Sequence, residues 1–284
     1  AMRHKQRLDS PLQSKLVALP ESRQLDVLAG LFERRQARVL RIPLVAIRDA
    51  PDQNPVTRWI KDFIVNPPDY LIILTGEGLR RLISAARRLE LESQFVGALG
   101  RVKTVCRGPK PVQSLREVKL DAWVRAALPT TAGVIDSLHG INLRNSRVSV
   151  QLYGEDPNHK LMDYLRSCQL DACCTVAPYV YLPASENDEV KNFIQELASG
   201  RIDLIVFTSK PQVHRLFEVA ELFDLMSHLT RGLRETRIAA VGPVVREALQ
   251  QKGCNVTIMP KSAYFMKPLL RATEAYFDSI TDDG

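Results

Sequence analysis

Residues 101–120, RVKTVCRGPKPVQSLREVKL, and residues 237–253, RIAAVGPVVREALQQKG, share a pattern of an apolar run, a Gly-Pro pair and an amphipathic segment. Proline suits the first turn of a helix because it has no N–H group to leave unpaired. Glycine is common just after the last turn, where Gly253 stands. Each stretch therefore predicts a strand that turns sharply into a helix.

The same spacing extends over the rest of the chain. Five pairs of landmark residues are separated by 131–135 positions. A register kept over five landmarks is hard to obtain by chance, and self-similarity at a fixed period indicates a repeat. The sequence therefore predicts a tandem duplication. The pairs are Pro43 with Pro178, Asp69 with Asp203, Thr75 with Thr208, Gly108 with Gly242, and Pro129 with Pro260.

Short apolar runs alternate with helical patterns in both halves. The runs LIIL at 71–74 and LIVF at 204–207 are continuous, as in parallel strands that are buried on both faces. Each run precedes a segment whose apolar residues fall on one helical face. Alternating strands and helices predict open α/β sheets. The two faces are Leu79, Leu82, Ile83, Ala86 and Leu89, and Val213, Leu216, Phe217, Ala220 and Phe223.

The composition favours some classes of protein over others. With 284 residues, 45% of them hydrophobic, the chain can form one large domain or two modest ones. It has no apolar run of the roughly 18–20 residues that span a membrane and no apolar signal segment, so we expect a cytoplasmic protein. Five cysteines without CxxC spacing favour small core residues over disulfides or a zinc site.

The net charge of +7 favours an anionic partner, either a nucleic acid or a small polycarboxylate or phosphate. Open α/β sheets bind ligands beyond the carboxyl ends of their strands, where helix N-termini offer unpaired N–H groups. Four matched turns, at 75–78, 107–110, 208–210 and 241–244, predict such a site. Turns shaped by Gly and Pro, or a solvated basic face, would produce the same pattern without a ligand. The candidate binding residues are Thr75, Gly76, Gly108, Lys110, Thr208, Ser209, Lys210, Gly242 and Val244.

Motifs for other chemistries are incomplete or missing. The segment at Gly76 has the first two glycines of a dinucleotide fingerprint but lacks the third, and no GxxxxGK[ST] stretch occurs. The five histidines lack the spacing of metal ligands, and no serine nucleophile elbow is present. The sequence therefore indicates a reaction that needs binding, orientation and stabilised charge, without a metal.

Three features resemble the uroporphyrinogen-III synthase family. They are DLIVFTSKPQV at 203–213, VGPVVREALQQKGCNVTIMP at 241–260, and Tyr179 placed four residues before Pro183. Each motif is modest alone, and their order and spacing carry the resemblance. It extends over residues 15–276, which is nearly the whole chain.

The resemblance implies an α/β fold of two flavodoxin-like parallel-sheet domains that arose by tandem duplication. A two-stranded linker would join them, with the site in the cleft between them. The first strand and helix would belong with the C-terminal half, which makes that domain discontinuous. The implied domains are 15–38 with 184–278, and 47–173, and the implied linker strands are 39–46 and 174–183.

The resemblance also implies a lyase that works without a cofactor on the linear tetrapyrrole hydroxymethylbilane. The substrate loses its terminal hydroxyl, its last pyrrole ring is inverted through a spiro intermediate, and the macrocycle closes to uroporphyrinogen III. Its eight carboxylates would meet helix N-termini and basic side chains. Tyr179 is then expected to assist the departing hydroxyl, while Arg23 and Val245 join the substrate-binding residues.

Two positions depart from the family pattern. Val245 stands where the family often has threonine, and Glu77 stands where an anionic substrate would be repelled unless the side chain turns away. The alternative function is a non-catalytic domain of the same fold that binds a tetrapyrrole or another polyanion in a regulatory role. Nucleic-acid binding is disfavoured because aromatic residues are sparse. A monomer is expected.

Overall fold

The computed structural model describes residues 9–281, which form two compact units. The first unit comprises residues 9–46 and 182–281, and the second is Ile47–Tyr181. Each unit is built on one parallel sheet, so the predicted α/β fold is confirmed. None of the described helices is long and apolar enough to cross a membrane.

The elements follow one another along the chain in an alternating order. They are β1 (Leu16–Leu19), α1 (Leu25–Glu33), β2 (Arg38–Arg41), β3 (Val45–Asp49), α2 (Asn54–Val65), β4 (Tyr70–Ile73), α3 (Gly76–Arg88), α4 (Glu92–Leu99), β5 (Lys103–Cys106), α5 (Pro109–Glu117), β6 (Val124–Arg125), α6 (Thr131–His139), β7 (Arg147–Gln151), α7 (His159–Ser167), β8 (Ala172–Val176), β9 (Tyr179–Pro183), α8 (Asn187–Ala198), β10 (Leu204–Phe207), α9 (Lys210–Leu222), α10 (Met226–Glu235), β11 (Arg237–Ala240), α11 (Pro243–Gln251) and α12 (Met266–Thr281).

The first unit has a parallel sheet in the order β11-β10-β1-β2. Successive residues of β10 enter different apolar clusters, because side chains alternate between the two faces of a strand. Ile205 and Phe207 pack with residues of α8, α9 and α10, whereas Leu204 and Val206 pack with α1 and α12. Helices therefore cover the sheet on both faces.

The second unit has a parallel sheet in the order β6-β5-β4-β7-β8. Its central strand β4 alternates in the same way as β10. Leu71 and Ile73 face the cluster that contains α2 and α3, and Ile72 faces the cluster that contains α6 and α7. This burial on both faces is what the continuous apolar runs predict.

The two sheets share one strand order. In the first unit Ile258 forms a parallel bridge with Ala239 of β11. This bridge corresponds to the pairing of β6 with β5 in the second unit. Asp69 and Asp203, one of the landmark pairs, have the same role in the two units. The Asp69 carboxylate accepts the N–H of Arg147 at 2.8 Å, and the Asp203 carboxylate accepts the N–H of Leu16 at 2.8 Å. Strand β1 is thus the counterpart of β7.

Both Gly-Pro stretches form the strand, turn and helix that they predict. β5 leads into α5 and β11 leads into α11, with Pro109 and Pro243 in the first helical turns. Gly108 has a φ of 124°, which only glycine adopts readily, and an added Cβ would lie 2.9 Å from Cβ of Pro129. Gly242 is extended instead, with a φ of −168°.

The predicted helical faces are buried. The first four residues of each face lie in a core, and Leu89 and Phe223 pack partly buried against it. α9 begins with a capping box, in which Ser209 and Gln212 satisfy each other's backbone N–H groups.

β3 and β9 pair with each other in a separate two-stranded sheet. Backbone hydrogen bonds continue this pairing, from Ala50 N–H to Pro178 O at 3.1 Å and from Ala184 N–H to Leu44 O at 3.1 Å. Both divisions between the units fall within these two strands. The role of this sheet as an interdomain linker stays a prediction.

The cysteines differ in exposure, which allows a test of the fold. Cys173 and Cys174 in β8 are exposed, whereas Cys106 is buried, and burial raises the pKa of its thiol to about 12. Burial and the neighbouring Cys174 also raise the pKa of the Cys173 thiol. Because the thiolate is the reactive form, iodoacetamide at mildly alkaline pH should label Cys174, label Cys173 more slowly, and spare Cys106 until the protein is denatured. Peptide mass spectrometry measures this. Label on Cys106 in the folded protein would contradict its place in the core.

Candidate functional site

The strand order of the second unit creates a point where two loops diverge from the sheet. β4 lies between β5 and β7 in the sheet. The chain continues from β4 to β5 on one side, and from β7 to β8 on the other side. Ligands of open α/β sheets bind at such a switch point, beyond the carboxyl ends of the strands. The loops here begin at Thr75, after β4, and at Leu152, after β7.

Thr75 is held by three hydrogen bonds at this point. Its hydroxyl oxygen accepts the N–H of Gly78 at 3.0 Å and so caps α3. The side-chain amide of Gln151, the last residue of β7, donates to the same oxygen at 3.0 Å and accepts the Thr75 N–H at 3.1 Å. Gln151 is fully buried, so the position of Thr75 is fixed by the core.

Tyr179 places its hydroxyl beside Thr75. The tyrosine is 0% exposed, and the two hydroxyl oxygens are 3.2 Å apart. In this pair the Tyr179 hydroxyl donates and the Thr75 oxygen accepts. The Gly154 N–H also donates to the tyrosine oxygen.

Two further tyrosines surround Tyr179. Tyr181, two residues along β9, shares its strand face, and the two ring centroids are 5.6 Å apart. The Tyr153 ring centroid is 5.7 Å from that of Tyr181. Gly154 makes this possible, because its φ is 56° and an added Cβ would lie 3.1 Å from the Tyr181 ring. We refer to Tyr153, Tyr179 and Tyr181 as the tyrosine cluster.

The surroundings of Tyr179 act on its acidity in opposite directions. Burial raises its pKa, while the hydrogen bonds with Thr75 and Gly154 and the charge of Arg107 favour the ionised form. Burial also raises the pKa of Tyr181, and its two neighbouring tyrosines raise it further. Because its pKa is raised, Tyr179 is protonated at neutral pH.

Arg107 lies at the carboxyl end of β5, one residue before Gly108. Its Cζ atom is 5.2 Å from the centroid of the Tyr153 ring. Burial lowers the pKa of this guanidinium, and the tyrosine cluster and Asp156 act in the opposite sense. The tyrosine cluster, Thr75 and Arg107 together form a polar, cation-bearing site within the second unit.

The other predicted residues of this unit lie at the same sheet edge. Gly76 is buried, and an added Cβ would be 2.8 Å from the backbone oxygen of Lys110. The Lys110 side chain is exposed in the first turn of α5. The Glu77 carboxylate is paired with Arg81 at 2.7 Å and is 14% exposed. Much of its negative charge is therefore compensated within α3.

The first unit has an equivalent threonine, Thr208, whose hydroxyl has a different partner. Gln212 of α9 donates to the Thr208 hydroxyl at 2.7 Å and accepts the Thr208 N–H at 2.8 Å, as Gln151 does for Thr75. The Thr208 hydroxyl then donates to the Glu21 carboxylate at 2.6 Å. The threonine hydroxyl therefore accepts from a tyrosine in the second unit, whereas it donates to a carboxylate here.

The remaining predicted residues of the first unit lie in three environments. Arg23 is exposed before α1, Ser209 and Lys210 are half-buried at the start of α9, and Val244 is half-buried in α11. Gly242 is buried under Tyr264, whose Cβ would be 3.2 Å from an added Cβ. Val245 is 4% exposed and belongs to the core.

Several residues of the site are absent from the sequence prediction. Gln151, Tyr153, Gly154 and Tyr181 were not among its candidates, and Arg107 appeared only as part of a basic turn. One signal was present. Gln151 is a polar residue at the end of β7, whose sequence is RVSVQ, and Leu-Tyr-Gly follows it along the chain. A buried polar side chain at a strand end requires a partner, here Thr75.

The family model for uroporphyrinogen-III synthase HemD (HEM4) matches residues 26–270. The chain belongs to the uroporphyrinogen-III synthase family. The resemblance seen in the sequence is thereby confirmed. The family is one of tetrapyrrole and heme biosynthesis, and membership implies a tetrapyrrole substrate.

Relatives and solved structures agree with membership of the uroporphyrinogen-III synthase family. A mutant uroporphyrinogen III synthase from the bacterium Thermus thermophilus superposes with a TM-score of 0.73 at 23% identity, over 95% of this chain and all of that one. The wild-type Thermus protein in another crystal form gives 0.60 at 22% identity, over 94% of this chain and all of that one. The uncharacterized protein YjjA of Bacillus subtilis (strain 168) is 28% identical over 88% of this chain and 92% of its own length. The structural likeness shows the two-domain synthase fold.

Proposed function

We propose that the protein is a uroporphyrinogen-III synthase that converts hydroxymethylbilane to uroporphyrinogen III and water, with Tyr179 as the acid. The single observation that carries this proposal is the hydrogen bonding of the Tyr179 oxygen. Tyr179 is the donor in its hydrogen bond with Thr75, so the leaving hydroxyl of a bound substrate would replace Thr75 as the acceptor of this proton. A protonated phenol inside a cation-bearing site is suited to a leaving hydroxyl group.

The proton and bonds balance in this reaction. The Tyr179 proton moves to the terminal hydroxyl of the substrate as its C–O bond breaks, and water leaves. The electron-rich pyrroles of the substrate stabilise the resulting cation. The cationic carbon bonds to the substituted carbon of the last ring and forms the spiro intermediate. The earlier bond between that ring carbon and its bridge carbon then breaks, the bridge carbon bonds to the free position of the inverted ring, and the proton lost from that position restores Tyr179.

Substrate carboxylates are assigned to the strand-end loops of each unit. In the second unit these are Thr75, Gly76, Gly108 and Lys110, and Lys110 supplies an exposed positive charge at a helix start. A helix N-terminus stabilises an anion by about 0.3–1 kcal/mol at an exposed site. In the first unit the proposed residues are Arg23, Thr208, Ser209, Lys210, Gly242, Val244 and Val245. Because the Val245 side chain is buried, it would act through its backbone.

Analysis of the product isomers tests the proposal. The protein is coupled to an enzyme that releases hydroxymethylbilane, and the porphyrin isomers are separated by chromatography after oxidation. Wild type is expected to give mainly isomer III, whereas heat-denatured protein leaves the isomer I that forms spontaneously. Isomer I alone from the folded protein would exclude synthase activity.

A non-catalytic polyanion-binding domain is the second candidate. The observation that favours it is Glu21, whose carboxylate occupies the threonine of the first unit where a substrate carboxylate would otherwise be received. Tight binding of uroporphyrin together with formation of isomer I alone would support this function. It needs no acid, so Tyr179→Phe would then leave binding unchanged.

A further inference from the structure

Arg107 differs in its partners from the paired arginines of α3. Arg80 is paired with Glu117 at 2.8 Å, Arg81 with Glu77 at 2.7 Å, and Arg87 with Glu92 at 2.8 Å. Among the described residues of this unit, no carboxylate lies within salt-bridge distance of Arg107. Its contact is instead the face of the Tyr153 ring.

The position of Arg107 makes this lack of a partner unfavourable in the free protein. Arg107 is half-buried at the carboxyl end of β5, and desolvation lowers the pKa of its guanidinium, while the tyrosine cluster and Asp156 oppose this shift. A partly desolvated charge without a salt-bridge partner carries a free-energy cost, and binding of an anion reduces that cost. The planar guanidinium suits a carboxylate because it can donate two parallel hydrogen bonds.

The same position lies beside the proposed acid. Arg107 lies over the Tyr153 ring, the Tyr153 centroid is 5.7 Å from that of Tyr181, and the Tyr181 centroid is 5.6 Å from that of Tyr179. An anion bound to Arg107 would be held next to the proton of Tyr179. The cation–π contact with Tyr153 stabilises the guanidinium in this position.

We propose that Arg107 is a specificity-determining residue that binds one carboxylate of the substrate next to the hydroxyl of Tyr179. This assignment rests on the proposed function only for the identity of the substrate; the anion site itself rests on the geometry. The bound carboxylate fixes the terminal pyrrole ring so that its leaving hydroxyl faces Tyr179. Lys110, which is exposed, then contributes to approach of the substrate more than to its final position.

The test uses uroporphyrin, a stable porphyrin with eight carboxylates, as the binding probe. Its affinity is measured by calorimetry at one fixed salt concentration for wild type, Arg107→Met and Arg107→Lys. Arg107→Met should weaken binding at least about tenfold, which corresponds to loss of a charge-assisted hydrogen-bonded pair. Arg107→Lys should fall between the two, because it retains charge without the planar fork. Arg116→Met, an exposed arginine of α5, is the matched control and should bind like wild type.

Thermal melting separates a ligand-binding role from a structural one. Without ligand, Arg107→Met should melt within a few degrees of wild type, since a half-buried arginine without a salt bridge is replaced by an apolar chain of similar length. Uroporphyrin should then raise the melting temperature of wild type more than that of Arg107→Met. Unchanged affinity in Arg107→Met, or a large fall in its melting temperature without ligand, would overturn the proposal.

The isomer assay distinguishes failure of this inference from failure of the proposed function. If wild type forms no isomer III and Arg107→Met still loses affinity for uroporphyrin, the anion site stands and the synthase reaction does not. If wild type forms isomer III and Arg107→Met matches it in affinity and turnover, only the assignment of Arg107 fails.

Discussion

Tyr179→Phe is expected to slow formation of isomer III by about 100-fold while leaving the melting temperature within a few degrees of wild type. General acid assistance is typically worth about 10²- to 10⁴-fold, and a phenol lies at the weaker end of this range. The ring is retained, so the packing with Tyr181 is retained as well. The measurement is the initial rate of isomer III formation at saturating substrate, with uroporphyrin affinity determined in parallel.

The expected loss is in turnover and not in affinity, since the proton is needed only as the C–O bond breaks. Tyr164→Phe is a suitable control, because Tyr164 is a tyrosine of α7 in the same unit that packs on His139 away from the tyrosine cluster. Tyr181→Phe is not neutral, because Tyr181 contacts both other members of the cluster. A fully active Tyr179→Phe enzyme would remove Tyr179 from the chemistry.

The pH dependence follows from the raised pKa of Tyr179. Burial moves this pKa above its usual value near 10, so the phenol stays protonated through neutral and mildly alkaline pH. Loss of the acid is therefore expected only at strongly alkaline pH, and turnover should not decline between about pH 7 and 9 because of Tyr179. A decline in that range that Tyr179→Phe abolishes would show that the hydroxyl ionises there.

Gly78→Ala is expected to lower the free energy of unfolding by about 3 kcal/mol and to reduce isomer III formation at the same time. An added Cβ would lie 1.9 Å from Nε2 of Gln151, which is buried and cannot move into solvent. Overpacking costs about 1–3 kcal/mol, and displacement of Gln151 also leaves the Thr75 N–H without its acceptor. Urea denaturation measures the change in stability.

Two comparisons make the Gly78 prediction specific. Gly30→Ala, in the middle of α1 with nothing within 4 Å of the added atom, should be neutral or stabilising by up to about 1 kcal/mol. In the double variant Gly78→Ala with Gln151→Ala, the clash is removed, so the combined loss should be smaller than the sum of the single losses. Additive losses, or a Gly78→Ala protein as stable as wild type, would show that Gln151 is not what Gly78 accommodates.

The repeat in the sequence predicted more of the fold than any single motif did. Matched spacing of Asp69 and Asp203 indicated equivalent strands. The structure shows that each carboxylate accepts the backbone N–H of the first residue of a neighbouring strand. The strand that supplies this N–H could not be found from the repeat alone. It is β7 in the second unit but β1 in the first, 187 positions from Asp203, and only the family resemblance implied that crossing.

The candidate site was less accessible to sequence reasoning. Turn motifs located Thr75 and Thr208 because both follow continuous apolar strands. They could not show that a glutamine holds each threonine, because Gln151 comes from a neighbouring strand and Gln212 from the helix that follows. The onward partners, Tyr179 and Glu21, are likewise distant in sequence. Side-chain partners that converge through tertiary packing leave no local pattern.

The central place of β1 in its sheet has a consequence for how the chain folds as it is synthesised. β1 lies between β2 and β10, yet about 180 residues separate β1 from β10. Every strand of the second unit's main sheet, by contrast, lies within one continuous segment. Synthesis proceeds from the N-terminus, and pairing over long sequence separations is slow. The second unit can therefore complete its core first, while Leu28 and Phe32 of α1 remain unburied until β10 has left the ribosome.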